Sequence, residues 1–229
     1  IVDSPCTDEY DPLSRYSGLP ELPRVSRFHV LNQKASARLY CREHGLNYED
    51  INLVVVHMGG GTSVAAHKKG RLADGNNGLD GDGPFSTDRT GGLPVGGLID
   101  MCYSGKYTHA EMRRKIKGQG GLMAYVHDTN VKAIEAKALA GDEDCKKALD
   151  AMIYQTAQEI GKKAVTLKGD VNAIILTGGI AHSKYVTDMI RDYVSSIAPV
   201  YVYPGEHEME SLGEQSYEAL IGKAEVFEL

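Results

Sequence analysis

Residues 53–63 read LVVVHMGGGTS, an apolar run that ends in three consecutive glycines. A short apolar run of this kind predicts a buried β-strand, and residues 63–67 predict an antiparallel partner. Glycine has no side chain and readily adopts positive φ, so the triplet is expected to bring backbone N–H groups close to an anion. The hydroxyls of Thr62 and Ser63 add donors. We therefore expect a phosphate-binding hairpin here, although tight hairpins also use glycine for the turn alone.

A second glycine turn follows late in the chain. Residues 172–183 read NAIILTGGIAHS, which predicts a short buried strand that ends in a turn at Gly178 and Gly179. A helix is expected to follow the turn. The first turn has the spacing of neither the G-x-x-x-x-G-K-[ST] loop nor the G-x-G-x-x-G loop, so it matches neither of these common phosphate motifs.

Two glycine turns in this order, separated by a long helical region, resemble the layout of the actin, hexokinase and acetate kinase superfamily. The resemblance implies an α/β fold of the ribonuclease H-like actin/acetate kinase type, with mostly the C-terminal of two domains in this chain. In that superfamily two domains enclose ATP, with one glycine hairpin on its phosphates and a later Gly-Gly turn on its adenosine. The residues that the resemblance assigns to ATP are His57, Gly59, Gly60, Gly61, Thr62, Ser63, Gly178, Gly179 and Ile180.

The segment between the two turns narrows the resemblance. Residues 76–97 read NNGLDGDGPFSTDRTGGLPVGG, and together with HMGGGTSVAAHKKGR at residues 57–71 they are similar to the butyrate kinases of the acetokinase family. Acetate kinases typically carry H-L-G-N-G at the first turn and T-R-S-G-D around their arginine. The resemblance covers essentially the whole chain. It implies that ATP and butanoate are converted to ADP and butanoyl phosphate.

Three catalytic residues are implied by this resemblance: Arg89, His29 and Asp3. Phosphoryl transfer to a carboxylate needs no general base, because the attacking group is already ionised, and depends on cations and backbone donors that stabilise the transition state. Arg89 suits that role as a bidentate donor in a glycine-rich loop. His29 lies in RFHVLN, where acetate kinases have FHGTSH, and the second histidine of that segment is absent here.

The metal implied by the resemblance is Mg²⁺, which proteins hold mainly through phosphate oxygens and water with one or two carboxylates. The carboxylates assigned to it are Asp3 and Glu208, with Glu206 as the alternative to Glu208. On the adenosine side, Tyr125 and His127 are candidates for stacking on adenine. The remaining histidines are interpreted as surface or structural residues: His44, His67, His109, His182 and His207.

Composition is compatible with a soluble nucleotide enzyme and excludes little else. The chain has 25 Lys and Arg against 31 Asp and Glu, a net charge of −6, and no basic block suited to nucleic acid. No apolar run approaches the roughly 20 residues of a membrane helix, and no signal-like start is present. Four scattered cysteines favour a reducing cytoplasm over a disulfide framework. The expected partners are a small carboxylate and further copies of the chain, in a dimer or larger homo-oligomer.

The chain is interpreted as three parts. Residues 1–50 are expected to form the end of a first domain and an interdomain segment, and residues 51–205 a second, nucleotide-binding domain. Residues 206–229 are expected to form a C-terminal helix that returns toward the first domain. Butyrate kinases have a substantial portion before the residues that match Ile1, so the resemblance implies a fragment, and activity of the fragment alone is not assured. Helices are predicted over residues 30–43, 97–104, 109–117, 128–140, 142–167, 182–197 and 209–223, with Asp128 and Asp142 as N-caps.

Two alternatives to butanoate phosphorylation stay open. The substrate is another short or branched acid, such as acetate, propanoate or 2-methylpropanoate, or the chain is a non-catalytic actin-like ATP-binding protein. Such a protein would have no use for Arg89, and a sugar kinase would need a catalytic aspartate. An apolar pocket for the tail of the acid is expected from Phe85, Leu93, Pro94 and Val95.

Overall fold

The computed structural model describes residues 8–206 and 208–222. Its centre is a five-stranded sheet in the order β3-β2-β1-β4-β5. Strands β2 and β3 follow β1 as antiparallel neighbours, whereas β4 and β5 run parallel to β1. The strands are β1 (Asn52–Met58), β2 (Thr62–Lys68), β3 (Arg71–Gly75), β4 (Ala173–Gly178) and β5 (Val200–Pro204).

Eight α-helices connect and cover these strands in the part of the chain that the structure describes. They are α1 (Val30–His44), α2 (Val95–Tyr103), α3 (His109–Ile116), α4 (Gly121–Val126), α5 (Val131–Leu139), α6 (Glu143–Thr166), α7 (Lys184–Val194) and α8 (Glu208–Leu220). Within the described ranges, no helix is both long enough and apolar enough to cross a membrane.

Apolar residues of β1 pack on both faces of the sheet, because successive strand residues point to opposite sides. Val54 and Val56 belong to the larger core, which includes residues of α6 and α7. Leu53 and Val55 belong to a second core beneath α1. All four are fully buried, which explains the continuous apolar run in the sequence. Helix α8 contacts α1 on this second side, and the division of the chain into domains stays a prediction.

Most of the predicted elements are present with shifted ends. Gly45 ends α1 in the left-handed region at φ 64°, as glycine does at many helix C-termini. Asp142 caps α6 as predicted, by accepting hydrogen bonds from two backbone amides of the first turn.

Two predicted helix starts are wrong. Asn130, and not Asp128, caps α5 by accepting a hydrogen bond from the Ala133 amide. The Asp128 carboxylate instead accepts from the Asn130 amide at 2.9 Å, so it stabilises the turn before the helix. Helix α7 begins at Lys184, behind its cap Ser183, because a 3₁₀ turn takes up the residues directly after the second glycine pair.

Candidate functional site

The two glycine turns lie side by side at the carboxyl ends of two neighbouring strands of the sheet. Each follows the carboxyl end of its strand, and β1 and β4 are adjacent and parallel, with His57 in register with Thr177. Ligands of open α/β sheets bind outside the carboxyl ends of the strands. A cavity of about 760 Å³ opens between the turns; its lining includes Gly59 from the first turn and Gly179 and Ile180 from the second. This volume lies in the range of small-molecule sites.

The backbone of the glycine triplet corrects the sequence-based expectation. None of residues 59–61 has positive φ, so freedom of φ is not what this turn requires. Two of the glycines are required by close neighbours instead. A Cβ at Gly61 would overlap the guanidinium of Arg89, with Cζ at 2.8 Å, and a Cβ at Gly59 would lie 3.2 Å from Nε2 of His57.

Gly60, at the tip of the turn, is exposed, and a Cβ there would meet nothing within 4 Å. Its carbonyl accepts a hydrogen bond from the Ser86 hydroxyl at 2.6 Å and a longer one from Thr87 at 3.5 Å. Thr87 also lines the cavity. The tip of the hairpin is therefore tied to the arginine loop through its carbonyl.

Arg89 lies directly behind the hairpin. Its Nη1 donates to the carbonyl of Gly78 at 2.8 Å, and its guanidinium lies against Gly61. Its Nε is buried and has no hydrogen-bond partner among the described residues. The carboxylate of Asp88 is 3.8 Å from Nε, a charge contact that is too long for a hydrogen bond. Asp88 Oδ1 is likewise buried without a hydrogen-bond partner among the described residues, and Arg89 is not among the residues that line the cavity.

His29 and His57 stack on each other, with ring centroids 3.9 Å apart and planes tilted by 20°. Burial, aided by repulsion from the positive charge of Arg89 and from His29 whenever that ring is protonated, lowers the pKa of His57 to about 3. His57 is therefore neutral at pH 7 and contributes hydrogen bonding rather than charge. Its Nδ1 contacts the side-chain oxygen of Asn32 at 2.9 Å.

The hydroxyl residues of the hairpin are buried rather than open to the cavity. Thr62 is 3% exposed and Ser63 is fully buried. The Ser63 hydroxyl contacts Nδ1 of His29 at 2.9 Å and Nε2 of Gln33 at 3.0 Å. Ser63 thus holds the His29 ring in place, and the direct contact of Ser63 with ATP stays a prediction.

The second turn needs glycine for a different reason. Gly178 has φ 89°, and a Cβ there would collide with the backbone of Met58 at the end of β1. Gly178 and Gly205 exchange two backbone hydrogen bonds of 3.0 Å. Gly179 lines the cavity, whereas Gly178 is not among its lining residues. Gly178 therefore packs the turn against β1, and Gly179 and Ile180 face the space between the turns.

Sequence reasoning missed much of the far wall of the cavity. Residues of α5 and of the start of α7 complete the lining: Thr129, Asn130, Val131, Lys132, Glu135, Ala136, Leu139, His182, Ser183 and Lys184. His182, interpreted from sequence as a surface or structural residue, is thus part of the cavity wall. Tyr125 and His127 are not among the lining residues. The sequence signal that could have placed α5 in the cavity wall was Asn130 as a helix N-cap, because the first turn of a helix presents backbone N–H groups without intrahelical partners.

The expected tail pocket does not form from the four residues named for it. Phe85 is 6% exposed and packs in the larger core, whereas Leu93 and Val95 are 38% and 68% exposed. Pro94 is exposed as well. These residues therefore do not share one buried wall.

The predicted metal carboxylates are only partly described. Asp3 lies outside the described residues. Glu208 is half-buried at the first position of α8, and Glu206 is exposed. No group of three or more His, Cys, Asp or Glu that could hold a metal occurs within residues 8–206 and 208–222.

The fold is an α/β sheet with two glycine turns at the carboxyl ends of adjacent parallel strands and an arginine against the first turn. A sequence model described as the acetokinase family matches residues 28–223, and the chain belongs to that family. It is 52% identical over 223 residues to butyrate kinase 1 of Clostridium acetobutylicum, which covers 97% of this chain and 63% of that protein. It is 46% identical over 226 residues to a probable butyrate kinase of Bacteroides thetaiotaomicron, which covers 99% of this chain and 64% of that protein. The resemblance to butyrate kinases is thus confirmed.

The chain spans about 63% of the length of the butyrate kinases that it matches. Among solved structures, an acetate kinase of Porphyromonas gingivalis superposes with a TM-score of 0.81 at 18% identity, over 91% of this chain and 60% of the other. An acetate kinase of Entamoeba histolytica gives 0.79 at 17% identity, over 91% and 63%. At these identities the likeness shows the fold alone, and it confirms the predicted fold of the actin/acetate kinase type.

Proposed function

We propose that the protein containing this chain is an ATP-dependent carboxylate kinase, which transfers the γ-phosphoryl group of ATP to butanoate. The observation that carries the proposal is the position of Arg89. Its guanidinium lies against Gly61 of the glycine hairpin, and its Nη1 donates to the Gly78 carbonyl at 2.8 Å, which holds a positive charge beside that turn. The identity of about 50% to proteins named butyrate kinase supports the choice of acid.

The proposed reaction exchanges one phosphorus–oxygen bond for another. The bond between the γ-phosphorus and the bridging oxygen of ADP breaks, and a bond forms between that phosphorus and a carboxylate oxygen. No proton has to move, because the carboxylate is already ionised. Charge builds on the three equatorial oxygens of the transferring group. Arg89 and the N–H groups of the hairpin are the donors that would stabilise this charge.

The neutral state of His57 fits this assignment. Its pKa of about 3 means that it brings no positive charge of its own. In this proposal its ring stacks on His29 and packs against the first glycine of the hairpin. His57 therefore orders the hairpin, and Arg89 supplies the charge.

Mg²⁺ is proposed as the metal, and when bound to ATP it would neutralise charge on the β- and γ-phosphates. Glu208 is the described carboxylate proposed to approach it, directly or through water. Asp3 is proposed as the second carboxylate. This part of the proposal rests on the sequence resemblance and on the half-buried position of Glu208 at the start of α8.

A substrate series on the full-length protein tests the proposal. Acyl phosphate is trapped as hydroxamate with acetate, propanoate, butanoate and 2-methylpropanoate, and kcat/KM is compared. Each buried methylene contributes about 0.8 kcal/mol, so a site for four carbons is expected to favour butanoate over acetate by roughly tenfold or more. A reaction without acid measures background ATP hydrolysis.

The outcomes separate the alternatives. If acetate is the best substrate, the choice of butanoate is wrong and the carboxylate kinase assignment stands. If no acid supports formation of ADP while ATP still binds, a non-catalytic actin-like ATP-binding protein becomes the better account.

We further propose that the protein acts in the cytoplasm as a homo-oligomer. Within the described residues, the three cysteines are free thiols, which suits a reducing compartment. Helix α2 buries none of its residues, and Ile99 and Tyr103 are exposed on it. An exposed apolar surface of this kind is typical of faces that associate. Light scattering of the full-length protein and of Ile99→Glu tests this: loss of the oligomer is expected, and a monomeric wild-type protein would contradict it.

A further inference from the structure

A chain of hydrogen bonds runs behind the glycine hairpin and ends at His29. The hydroxyl of Tyr48 lies 2.7 Å from Nδ1 of His67, and Nε2 of His67 lies 3.1 Å from Oε1 of Gln33. Nε2 of Gln33 lies 3.1 Å from the carbonyl oxygen of Ser63 and 3.0 Å from its hydroxyl. That hydroxyl lies 2.9 Å from Nδ1 of His29. Tyr48 is 4% exposed, and His67, Gln33 and Ser63 are fully buried.

The direction of these bonds is fixed at the carbonyl of Ser63. A backbone carbonyl can only accept, so the atom of Gln33 that faces it must be the amide nitrogen. The amide oxygen of Gln33 therefore faces His67. Turning the amide over would place two oxygens against each other in a buried site that water does not reach.

His67 then has one possible arrangement. Burial lowers its pKa to about 3, so the ring is neutral and carries a single proton. The oxygen of Gln33 can only accept, so that proton is on Nε2, and Nδ1 accepts from the hydroxyl of Tyr48. Burial also raises the pKa of Tyr48, which keeps its hydroxyl protonated.

The same count decides the state of His29. The hydroxyl of Ser63 accepts from Gln33 and has one proton to donate. Of its two contacts, Gln33 presents a donor, so the acceptor is Nδ1 of His29. If His29 carried a proton on Nδ1, the hydroxyl would accept twice and its own proton would be left without an acceptor in a fully buried place.

We propose that the chain Tyr48–His67–Gln33–Ser63 fixes His29 as the neutral ring with its proton on Nε2, which makes Gln33 and His67 positioning residues. The consequence for catalysis rests on the proposed function: the protonation pattern and orientation of the His29 ring are set from behind the hairpin before any nucleotide binds. The tautomer of His57 is not fixed in this way. Its partner is the side-chain amide of Asn32, and the nitrogen of that amide is buried without a partner among the described residues, so no second contact sets which way the amide faces.

Nitrogen NMR of the full-length protein labelled at histidine tests the proposal, because protonated and unprotonated ring nitrogens have widely separated shifts. The His29→Gln variant identifies the His29 signals. Gln33→Met removes the donor and acceptor at similar volume, and Tyr48→Phe removes only the first hydroxyl. The matched control for the latter is Tyr154→Phe, a half-exposed tyrosine of α6. Signals of His57, which bonds to Asn32, are the internal control.

In the wild-type protein we expect an unprotonated Nδ1 and a protonated Nε2 on His29. Gln33→Met is expected to give averaged shifts for His29 with those of His57 unchanged, and to lower kcat about tenfold with little change in KM for ATP, as loss of an outer hydrogen-bond partner does. Tyr48→Phe is expected to move the His29 shifts in the same direction by less. If Gln33→Met does not fold, Tyr48→Phe decides.

A protonated Nδ1 on His29 in the wild-type protein would overturn the proposal, as would His29 shifts that neither variant changes. The NMR result does not depend on activity. The predicted shifts in a protein that phosphorylates no acid would leave the hydrogen-bond chain intact and reject the kinase function instead.

Discussion

The two glycine turns of this chain look alike in sequence and are built for different reasons. The hairpin turn has three glycines, none with positive φ, and its tip at Gly60 has empty space where a side chain would lie. The later turn has Gly178 at φ 89°, packed so closely on Met58 that no side chain fits. In the first turn Gly59 and Gly61 make way for His57 and Arg89 while Gly60 is open, and in the second turn Gly178 satisfies the backbone and the packing of β1 against β4.

This difference separates what each glycine contributes to folding from what it contributes to binding. Substitutions in the second turn should act on the stability of the fold, and substitutions at the tip of the first should act on the ligand. The predictions below run from the largest expected effect on folding stability to the smallest.

Gly178→Ala is expected to destabilise the protein most. Its Cβ would require both an unfavourable φ and a shift of the Met58 backbone, which together cost about 3 kcal/mol or more. Gly179→Ala is the matched control, because it has no positive φ and a Cβ there meets nothing within 4 Å. Urea unfolding of the two variants measures the difference. Equal stabilities would show that Gly178 tolerates a side chain as well as Gly179 does.

Acid should destabilise the protein through its buried histidines. The pKa of His57 and that of His67 are both lowered to about 3, whereas an unfolded histidine has a pKa of about 6.5. Between about pH 6.5 and 3 the unfolded chain therefore binds protons at these two histidines that the native state does not bind. The stability is fully present above pH 6.5 and is lost as the pH falls toward 3, by up to about 1.4 kcal/mol per pH unit for each histidine.

The free energy of unfolding at pH 7, 6 and 5 measures this slope. His67→Phe is expected to reduce the slope, and the control His109→Gln, an exposed histidine of α3, to leave it unchanged. An identical slope in wild-type and His67→Phe proteins would contradict the buried neutral state of His67.

Much of this site was predictable from sequence, and the reasons for the misses are physical. The apolar run at residues 53–58 and the turn at Gly178 follow from local patterns, so the strands and their edge of the sheet were found. The positive φ expected in the triplet was wrong, because what constrains Gly61 is the guanidinium of Arg89, 28 positions away in sequence. The hydrogen-bond role of Gln33 also depends on a distant strand, and a single glutamine carries no local signal for it.

Arg89→Ala is expected to change stability little and turnover greatly. It loses one hydrogen bond to the Gly78 carbonyl, worth about 1 kcal/mol, and removes a buried Nε that has no partner among the described residues. Because the charge acts on the transition state, kcat with butanoate should fall about 100-fold or more while ATP binding is retained. Steady-state kinetics on the full-length protein check this.

The control for this loss is Arg191→Ala on α7, which removes a half-buried arginine paired with Asp188 and should leave kcat near the wild-type value. An unchanged kcat in Arg89→Ala would contradict the catalytic role of Arg89, on which the kinase assignment rests.

The smallest effect on folding and the most direct test of the account fall on Gly60. Gly60→Val adds a branched side chain where the structure has open space, so the melting temperature should change by no more than about 2 °C. Gly161→Val, in open space within α6, is the matched control and should bind nucleotide normally. Calorimetric titration of the full-length protein with Mg-ATP is the measurement. The account predicts that Gly60→Val binds Mg-ATP at least about 100-fold more weakly, since the side chain would occupy the place of the phosphates; retained affinity would show that the triplet is only a turn.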